Sequence, residues 1–128
     1  MRIAAALFIA AHGVGYILWF MASWMPAALG TGSKQLSIGE GVVTGRLGKA
    51  IGLVALVVLA GFLVAAWGVW QQASWWPTVL VASALAAFPT ALAVWNPVGN
   101  VSMMAGLANV GLLAATFMPW GERLLGPH

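Results

Sequence analysis

A histidine and a tyrosine are the side chains best suited to chemistry in the first long apolar segment. His12 lies near its middle, and Tyr16 follows four residues later. Residues four apart share one face of an α-helix, so the imidazole and the phenol should lie side by side. Such a pair could bind a carbonyl or hydroxyl group of an apolar ligand, ligate a metal or carry a proton. Alternatively, a neutral His12 only hydrogen-bonds a neighbouring helix.

Asn109 is the third candidate, in the middle of the last apolar segment. Side-chain amides in this position often bridge membrane helices, at about 0.6 kcal/mol each on average. Ser102 and Gly106 lie seven and three residues earlier, which predicts a small, polar face on this helix. We therefore treat His12, Tyr16 and Asn109 as candidate ligand-binding residues, with helix packing as the alternative for Asn109.

Several kinds of chemistry have no residues to support them. The chain contains no cysteine, and its two acidic residues, Glu40 and Glu122, lie outside the apolar segments. The nucleophile–base sets and phosphate-binding loops that mark hydrolases and nucleotide-binding enzymes are missing. No metal site is predicted and no cofactor is specified. A non-catalytic protein is favoured over an enzyme.

The composition predicts that lipid surrounds most of the chain. Of the 128 residues, 62% are hydrophobic and 5% are charged, whereas soluble domains are about 25% charged. No charged residue occurs between Lys49 and Glu122. The five basic residues are scattered, so a nucleic-acid partner is not expected.

Four apolar segments are each long enough to cross a bilayer as a helix, which requires about 20 residues. They cover about 3–24, 47–70, 77–95 and 99–118. The sequence predicts an all-α, four-helix transmembrane bundle with up-down-up-down topology, forming one domain over residues 1–128. Tight turns are expected at 71–76 and 96–99. Tryptophans near the span ends, including Trp19 and Trp76, are expected to form an interfacial belt.

The first connection, at about 26–46, is much longer than the others. Ser37 and Glu40 have the spacing of a capping box, which predicts a short interfacial helix or an early start of the second span. Because the other turns are short, any function on the aqueous side should lie in this loop. Glu40 and Arg46 are its candidate residues.

Pairs of glycines spaced four apart could allow helices to approach closely. Gly41 and Gly45 form one pair, Gly48 and Gly52 form another, and Gly106 lies in the last span. These five glycines are predicted helix-packing residues. They favour close packing of the first two spans and also permit a homodimer.

Two short motifs carry a resemblance to a known group of proteins. Residues 11–16 read Ala-His-Gly-Val-Gly-Tyr, and residues 39–41 read Gly-Glu-Gly just before the second span. In these motifs the chain resembles small four-span bacterial membrane proteins of unknown role, and its layout is similar to that of the DoxX-like group. The resemblance implies a multi-pass protein of the bacterial inner membrane and no established activity.

Two classes of function remain open. The chain could be a non-catalytic accessory subunit, or could bind a lipid, quinone or isoprenoid between its helices. Alternatively, it could be a membrane redox component or enzyme that uses His12, with Tyr16 and Glu40, on a lipid-soluble substrate. The expected partners are the lipid bilayer and either a second copy or a larger membrane complex.

Overall fold

A computed structural model describes residues 1–38 and 41–125, with the backbone alone at residues 95–98. Within these ranges the chain forms seven helices and no strand. In chain order they are α1 (Arg2–Gly15), α2 (Ile17–Trp24), α3 (Pro26–Leu29), α4 (Arg46–Gln71), α5 (Trp76–Ala93), α6 (Trp95–Phe117) and α7 (Gly121–Leu125).

Four helical stretches are long and apolar enough to cross a membrane. They are Arg2–Trp24, which combines α1 and α2, then Arg46–Gln71, Trp76–Ala93 and Gly99–Phe117. The predicted all-α four-helix bundle is confirmed, and the chain has the architecture of a multi-pass membrane protein.

The spans pack against one another in chain order. α1 and α2 pack on α4, α4 packs on α5, and α5 packs on α6, whereas the backbones of α1 and α6 rarely come close. Alanines fill much of the interior, and large apolar side chains such as Val57 and Leu107 are exposed on the outer surface. Small residues inside and large apolar residues outside suit a bundle whose solvent is lipid.

The first span is interrupted at Tyr16, although the sequence predicts one continuous helix. The Tyr16 N–H donates to the Gly13 carbonyl at 3.0 Å, and the Trp19 N–H donates to the Tyr16 carbonyl at 3.2 Å. Both bonds span three residues instead of four, which tightens the helix locally into a 3₁₀ turn. Gly13 and Gly15 have low helix propensity, which favours a break at this point.

The connection between α5 and α6 is shorter than predicted. Only Val94 separates the two helices, so the turn expected at 96–99 is helical instead. Pro97 is the third residue of α6. A proline is tolerated in the first turn because its missing N–H would have no partner within the helix.

The long first connection contains a short helix, but not where the capping box predicts one. The short helix is α3, directly after α2, and Gly30 ends it with a left-handed φ of 64°. Ser37 and Ile38 are not helical, and Glu40 lies outside the described residues. α4 instead begins after an extended Gly45.

The rest of this connection folds back on itself and covers one end of the bundle. The Val43 N–H donates to the Lys34 carbonyl at 2.9 Å, and the Ser37 N–H donates to the Ala93 carbonyl at 2.8 Å. The Ala93 carbonyl belongs to the last residue of α5, which has no helical N–H ahead of it. The loop thus supplies a hydrogen-bond donor to the C-terminal end of α5.

Of the five predicted helix-packing glycines, Gly52 lies between two spans. A Cβ there would collide with Ser23 of α2, while a Cβ at Gly48 would collide with the backbone of Val43 in the loop. Gly48 therefore packs α4 against the long connection and not against the first span.

The other three glycines do not pack helices. Gly41 adopts a φ of 127° in the loop and would have open space around a Cβ. Gly45 precedes α4, and Gly106 also has nothing within 4 Å of a Cβ. A glycine that the sequence did not single out makes the close approach: a Cβ at Gly13 would lie 2.5 Å from the Cβ of Phe62 in α4.

Candidate ligand-binding groove

The three candidate polar residues form one hydrogen-bonded network. His12 Nε2 donates to Asn109 Oδ1 at 2.8 Å, and Asn109 Nδ2 donates to the Tyr16 hydroxyl oxygen at 2.8 Å. The network therefore joins the first span to the last, across the seam where their backbones rarely approach. His12 and Tyr16 lie on one helix face, as their spacing predicts, and Asn109 bridges to them.

Aromatic rings hold the network in place. The Phe62 ring of α4 meets His12 edge-on at 4.9 Å between centroids and stacks on Tyr16 at 5.8 Å. The indole of Trp19 also stacks on Tyr16, with 4.8 Å between the ring centroids. Rings in these arrangements attract one another beyond simple area burial. The positions of the imidazole and the phenol are therefore fixed from several sides.

The network lies near the middle of the first and last of the four long apolar helical stretches. His12 is close to the midpoint of Arg2–Trp24, and Asn109 is close to the midpoint of Gly99–Phe117. Tyr16 and Asn109 are 0% exposed, whereas His12 is half-buried. Its second ring nitrogen, Nδ1, makes no hydrogen bond in the described chain and is not among the buried unpartnered atoms. Nδ1 is thus accessible at the surface of the bundle.

That surface is a groove of about 310 Å³ between the first and last spans. Apart from His12, Tyr16 and Trp19, its walls are apolar. The other lining residues are Phe8, Ala11, Gly15, Val101, Met104, Ala105 and Ala108. Pockets of about 300–1,000 Å³ with few polar groups are typical of small-molecule sites.

A second groove continues along the same seam toward the chain ends. It has a volume of about 360 Å³ and shares Phe8 and Ala108 with the first groove. Two residues of α7, Leu124 and Leu125, close one end of this groove. Its remaining lining residues are apolar: Met1, Ala4, Ala5, Gly111, Leu112, Ala115 and Trp120. The seam is therefore a long apolar cleft with His12 partway along it.

Two tryptophans differ from the predicted interfacial belt. Trp19 and Trp76 are each 1% exposed, so both belong to the core. Trp19 lines the groove, and its indole nitrogen Nε1 is buried without a hydrogen-bond partner. Trp19 follows His12 by seven residues and Tyr16 by three, so the helix period places all three on one face. This spacing is the sequence signal that could have identified Trp19 as a groove residue.

Two phenylalanines contact the rings of the network. Phe62 is 0% exposed against the network, but it lies in a uniformly apolar run and nothing in the sequence distinguishes it. Phe8 precedes His12 by four residues and so lies on the same helix face. It is 54% exposed and stacks on His12 at 6.3 Å, so it forms part of the groove wall.

The predicted polar face of α6 is divided between two surfaces. Asn109 reaches the first span, whereas Ser102 and Gly106 line a separate hollow between α5 and α6. Ser102 is buried, and its hydroxyl has no partner in the described chain. Other span hydroxyls bond the carbonyl one turn earlier in their own helix, as Ser83 and Thr90 do.

The predicted loop residues lie away from the groove. Arg46 is exposed at the first residue of α4, and Glu40 falls outside the described residues. Within the described ranges, no three histidine, aspartate or glutamate side chains come together as a metal site would need. The groove is lined by one imidazole, one phenol and one indole, which suits hydrogen bonding to a neutral molecule.

No family model, curated protein or solved structure matches the chain.

Proposed function

We propose that this protein binds a neutral, apolar molecule in the groove between α1 and α6, and that the binding is not catalytic. The ligand class is a lipid, quinone or isoprenoid carrying a single polar group. The apolar part would lie along the cleft, and the polar group would meet His12. This role belongs to a multi-pass protein of the bacterial inner membrane, acting alone or as an accessory subunit.

One observation carries the proposal: a half-buried imidazole with an accessible, unpaired nitrogen at the centre of an apolar groove. An unpaired polar group in hydrocarbon costs free energy, with estimates of about 1–3 kcal/mol from protein mutations. If His12 served only to bridge helices, its one bond to Asn109 would suffice and the ring could be fully enclosed. Exposure of the second nitrogen supports contact with a ligand.

The shape of the cleft favours an elongated molecule. Both grooves lie along the same seam and share Phe8 and Ala108. Because α1 and α6 do not pack backbone to backbone, a chain-like molecule could enter laterally from the bilayer. No acid or second base lies beside the network among the described residues, which supports binding over catalysis.

Filling the groove tests the proposal. Gly15 lines it and has nothing within 4 Å of a Cβ, so Gly15→Leu should occupy the ligand space without a clash. Gly106 is equally open but lines the hollow between α5 and α6, which makes Gly106→Leu the matched control. We expect native mass spectrometry in mild detergent to show a discrete molecule retained by the wild type and Gly106→Leu, and at least tenfold less in Gly15→Leu.

Equal retention by Gly15→Leu and Gly106→Leu would place any bound molecule outside the groove. A wild-type protein that carries only heterogeneous bulk lipid would contradict the proposal. The same spectra report copy number and associated chains, and so also test the accessory-subunit and homodimer readings.

A further inference from the structure

The α1–α6 cleft extends well beyond His12 in both directions along the first span. Its lining residues run from Met1, in the groove closed by α7, to Trp19, in the groove beside the network. Met1 precedes His12 by eleven residues, and Trp19 follows it by seven. At 1.5 Å per residue, the cleft therefore continues for about 16 Å on the α7 side of His12 and about 10 Å on the opposite side.

The last span shows the same extension on both sides of the network. The lining residues of α6 run from Val101 to Ala115, and Asn109, the hydrogen-bond partner of His12, lies between them. Val101 precedes Asn109 by eight residues and Ala115 follows it by six, which corresponds to about 12 Å and about 9 Å. His12 is therefore an internal point of the cleft, with an arm of the cleft on each side.

His12 Nδ1 is the polar atom that this cleft offers to a ligand. The half-buried imidazole uses Nε2 for Asn109, and Nδ1 makes no hydrogen bond in the described chain. Tyr16 and Trp19 also line the cleft, but they are 0% and 1% exposed. Toward α7 the surface of the cleft is almost entirely apolar. The polar group of a ligand thus finds its partner at His12, between two apolar arms.

We infer that the molecule bound in the α1–α6 groove carries its polar group in the middle of its chain, between two apolar arms, and not at one end. This inference rests on the proposed function and specifies its ligand. With the polar group at His12, a mid-chain molecule fills both arms of the cleft. A molecule with a terminal polar group would fill only one arm.

The surrounding lipid favours the same class of ligand. A terminal polar group can stay with the hydrated headgroups, about 15 Å from the midpoint of a span, and would lose that hydration on moving to His12. A mid-chain polar group between two extended arms already lies in hydrocarbon, where it has no partner. For such a molecule the hydrogen bond to His12 is a net gain.

The test compares two alcohols of identical composition, 8-pentadecanol and 2-pentadecanol, which differ only in the position of the hydroxyl group. A hydroxyl both donates and accepts, so it pairs with Nδ1 whichever imidazole nitrogen carries the proton. From single bonds of about 1.5 Å, an extended carbon chain advances about 1.3 Å per bond, so each seven-carbon arm of 8-pentadecanol covers about 9 Å. Both arms therefore fit the cleft.

The readout is the His12 imidazole itself. The chain has two histidines, so ¹⁵N-histidine labelling gives two imidazoles, and His128→Gln assigns the His12 resonances. Each alcohol is titrated into delipidated protein in nanodiscs. We expect 8-pentadecanol to shift the His12 Nδ1 resonance half-maximally at a mole fraction about tenfold lower than 2-pentadecanol, which corresponds to about 1.4 kcal/mol.

Two glycines allow each arm to be blocked separately. Gly15 lies on the Trp19 side of His12 and Gly111 lies in the groove closed by α7, and neither has an atom within 4 Å of a Cβ. Gly15→Leu and Gly111→Leu should each weaken the binding of 8-pentadecanol about tenfold. Only one of them should weaken 2-pentadecanol, because its single long arm lies on one side. Gly106→Leu, in the hollow between α5 and α6, should change neither.

Equal half-maximal mole fractions for the two alcohols, or tighter binding of 2-pentadecanol, would overturn the inference while leaving a ligand groove in place. So would a Gly111→Leu protein that binds 8-pentadecanol as the wild type does. A His12 resonance that neither alcohol shifts would overturn the proposed function itself.

Discussion

At the scale of residues, Asn109 is the link that makes His12 and Tyr16 a site. Its amide bonds both side chains, from the opposite span, at 2.8 Å each. Without it, a phenol and an imidazole would be left without these partners in a membrane interior. The network therefore stabilises the seam between α1 and α6 and also orients the imidazole toward the groove.

This arrangement predicts a measurable coupling between His12 and Asn109. Asn109→Leu should lower the free energy of unfolding by about 1–3 kcal/mol, because the buried phenol and the half-buried imidazole both lose their partner. A double-mutant cycle with His12→Leu should give a coupling energy of about 0.6–1.7 kcal/mol, the range found for polar pairs in membrane helices. Steric-trap unfolding in micelles measures both quantities.

Ser83 provides the matched control for this cycle. Its hydroxyl bonds the Val79 carbonyl within its own helix, so Ser83→Ala should show no coupling to Asn109→Leu. Coupling as large for Ser83 as for His12 would mean that the cycle reports a general loosening of the bundle and not the hydrogen bond.

The sequence identifies part of this site and not the rest, for physical reasons. The spacing of His12 and Tyr16 gives their common face, since the helix period is fixed. Which face of α6 turns toward α1 depends on packing between helices, so the partnership of Asn109 could only be guessed. Trp19 was assigned to the interface because tryptophan prefers span ends, but burial against Tyr16 prevails. Phe62 carries no sequence signal at all.

At the scale of elements, the close approach of α1 to α4 at Gly13 positions the site. A Cβ at Gly13 would lie 2.5 Å from the Cβ of Phe62, so the two helices touch where the network begins. Three residues later the first span passes through the 3₁₀ turn at Tyr16. The contact and the turn together direct Tyr16 inward and leave His12 at the edge of the groove.

Adding a single methyl group at Gly13 should therefore lower the free energy of unfolding. Gly13→Ala forces α1 and α4 apart, and overpacking of this kind costs about 1–3 kcal/mol. Gly15→Ala meets nothing within 4 Å and should be neutral, or slightly stabilising because alanine favours helix. Unfolding free energies of the two variants provide the comparison. A Gly13→Ala protein as stable as Gly15→Ala would mean that the helices can separate at no cost.

The sequence predicts the spans well and their connections less well. Long apolar runs determine helices in lipid because every backbone group must be paired internally. The α5–α6 turn was misplaced because Asn96, Pro97 and Gly99 are typical turn residues, yet Pro97 fits the first turn of α6. The capping box at Ser37 was misleading because the Ser37 N–H instead pairs with the end of α5.

At the scale of the whole molecule, the bundle is closed on three sides and loosely joined on the fourth. Each span packs closely on its neighbour in the chain, while the first and last spans meet through the polar network and α7. The α1–α6 groove is consequently a lateral opening toward the bilayer, with the network at its middle. A four-helix bundle built only for stability would be expected to close this seam.

The most direct measurement of the central claim is photo-crosslinking from neighbouring residues of α6. Met104 lines the groove, whereas Met103 faces the hollow between α5 and α6, and both are exposed to lipid. A diazirine amino acid is placed at one position or the other, and the adducts are identified by mass spectrometry after irradiation in native membranes. We predict one dominant small-molecule adduct at position 104 and a broad mixture of bulk lipids at position 103. The same broad mixture at both positions would contradict a specific ligand in the groove.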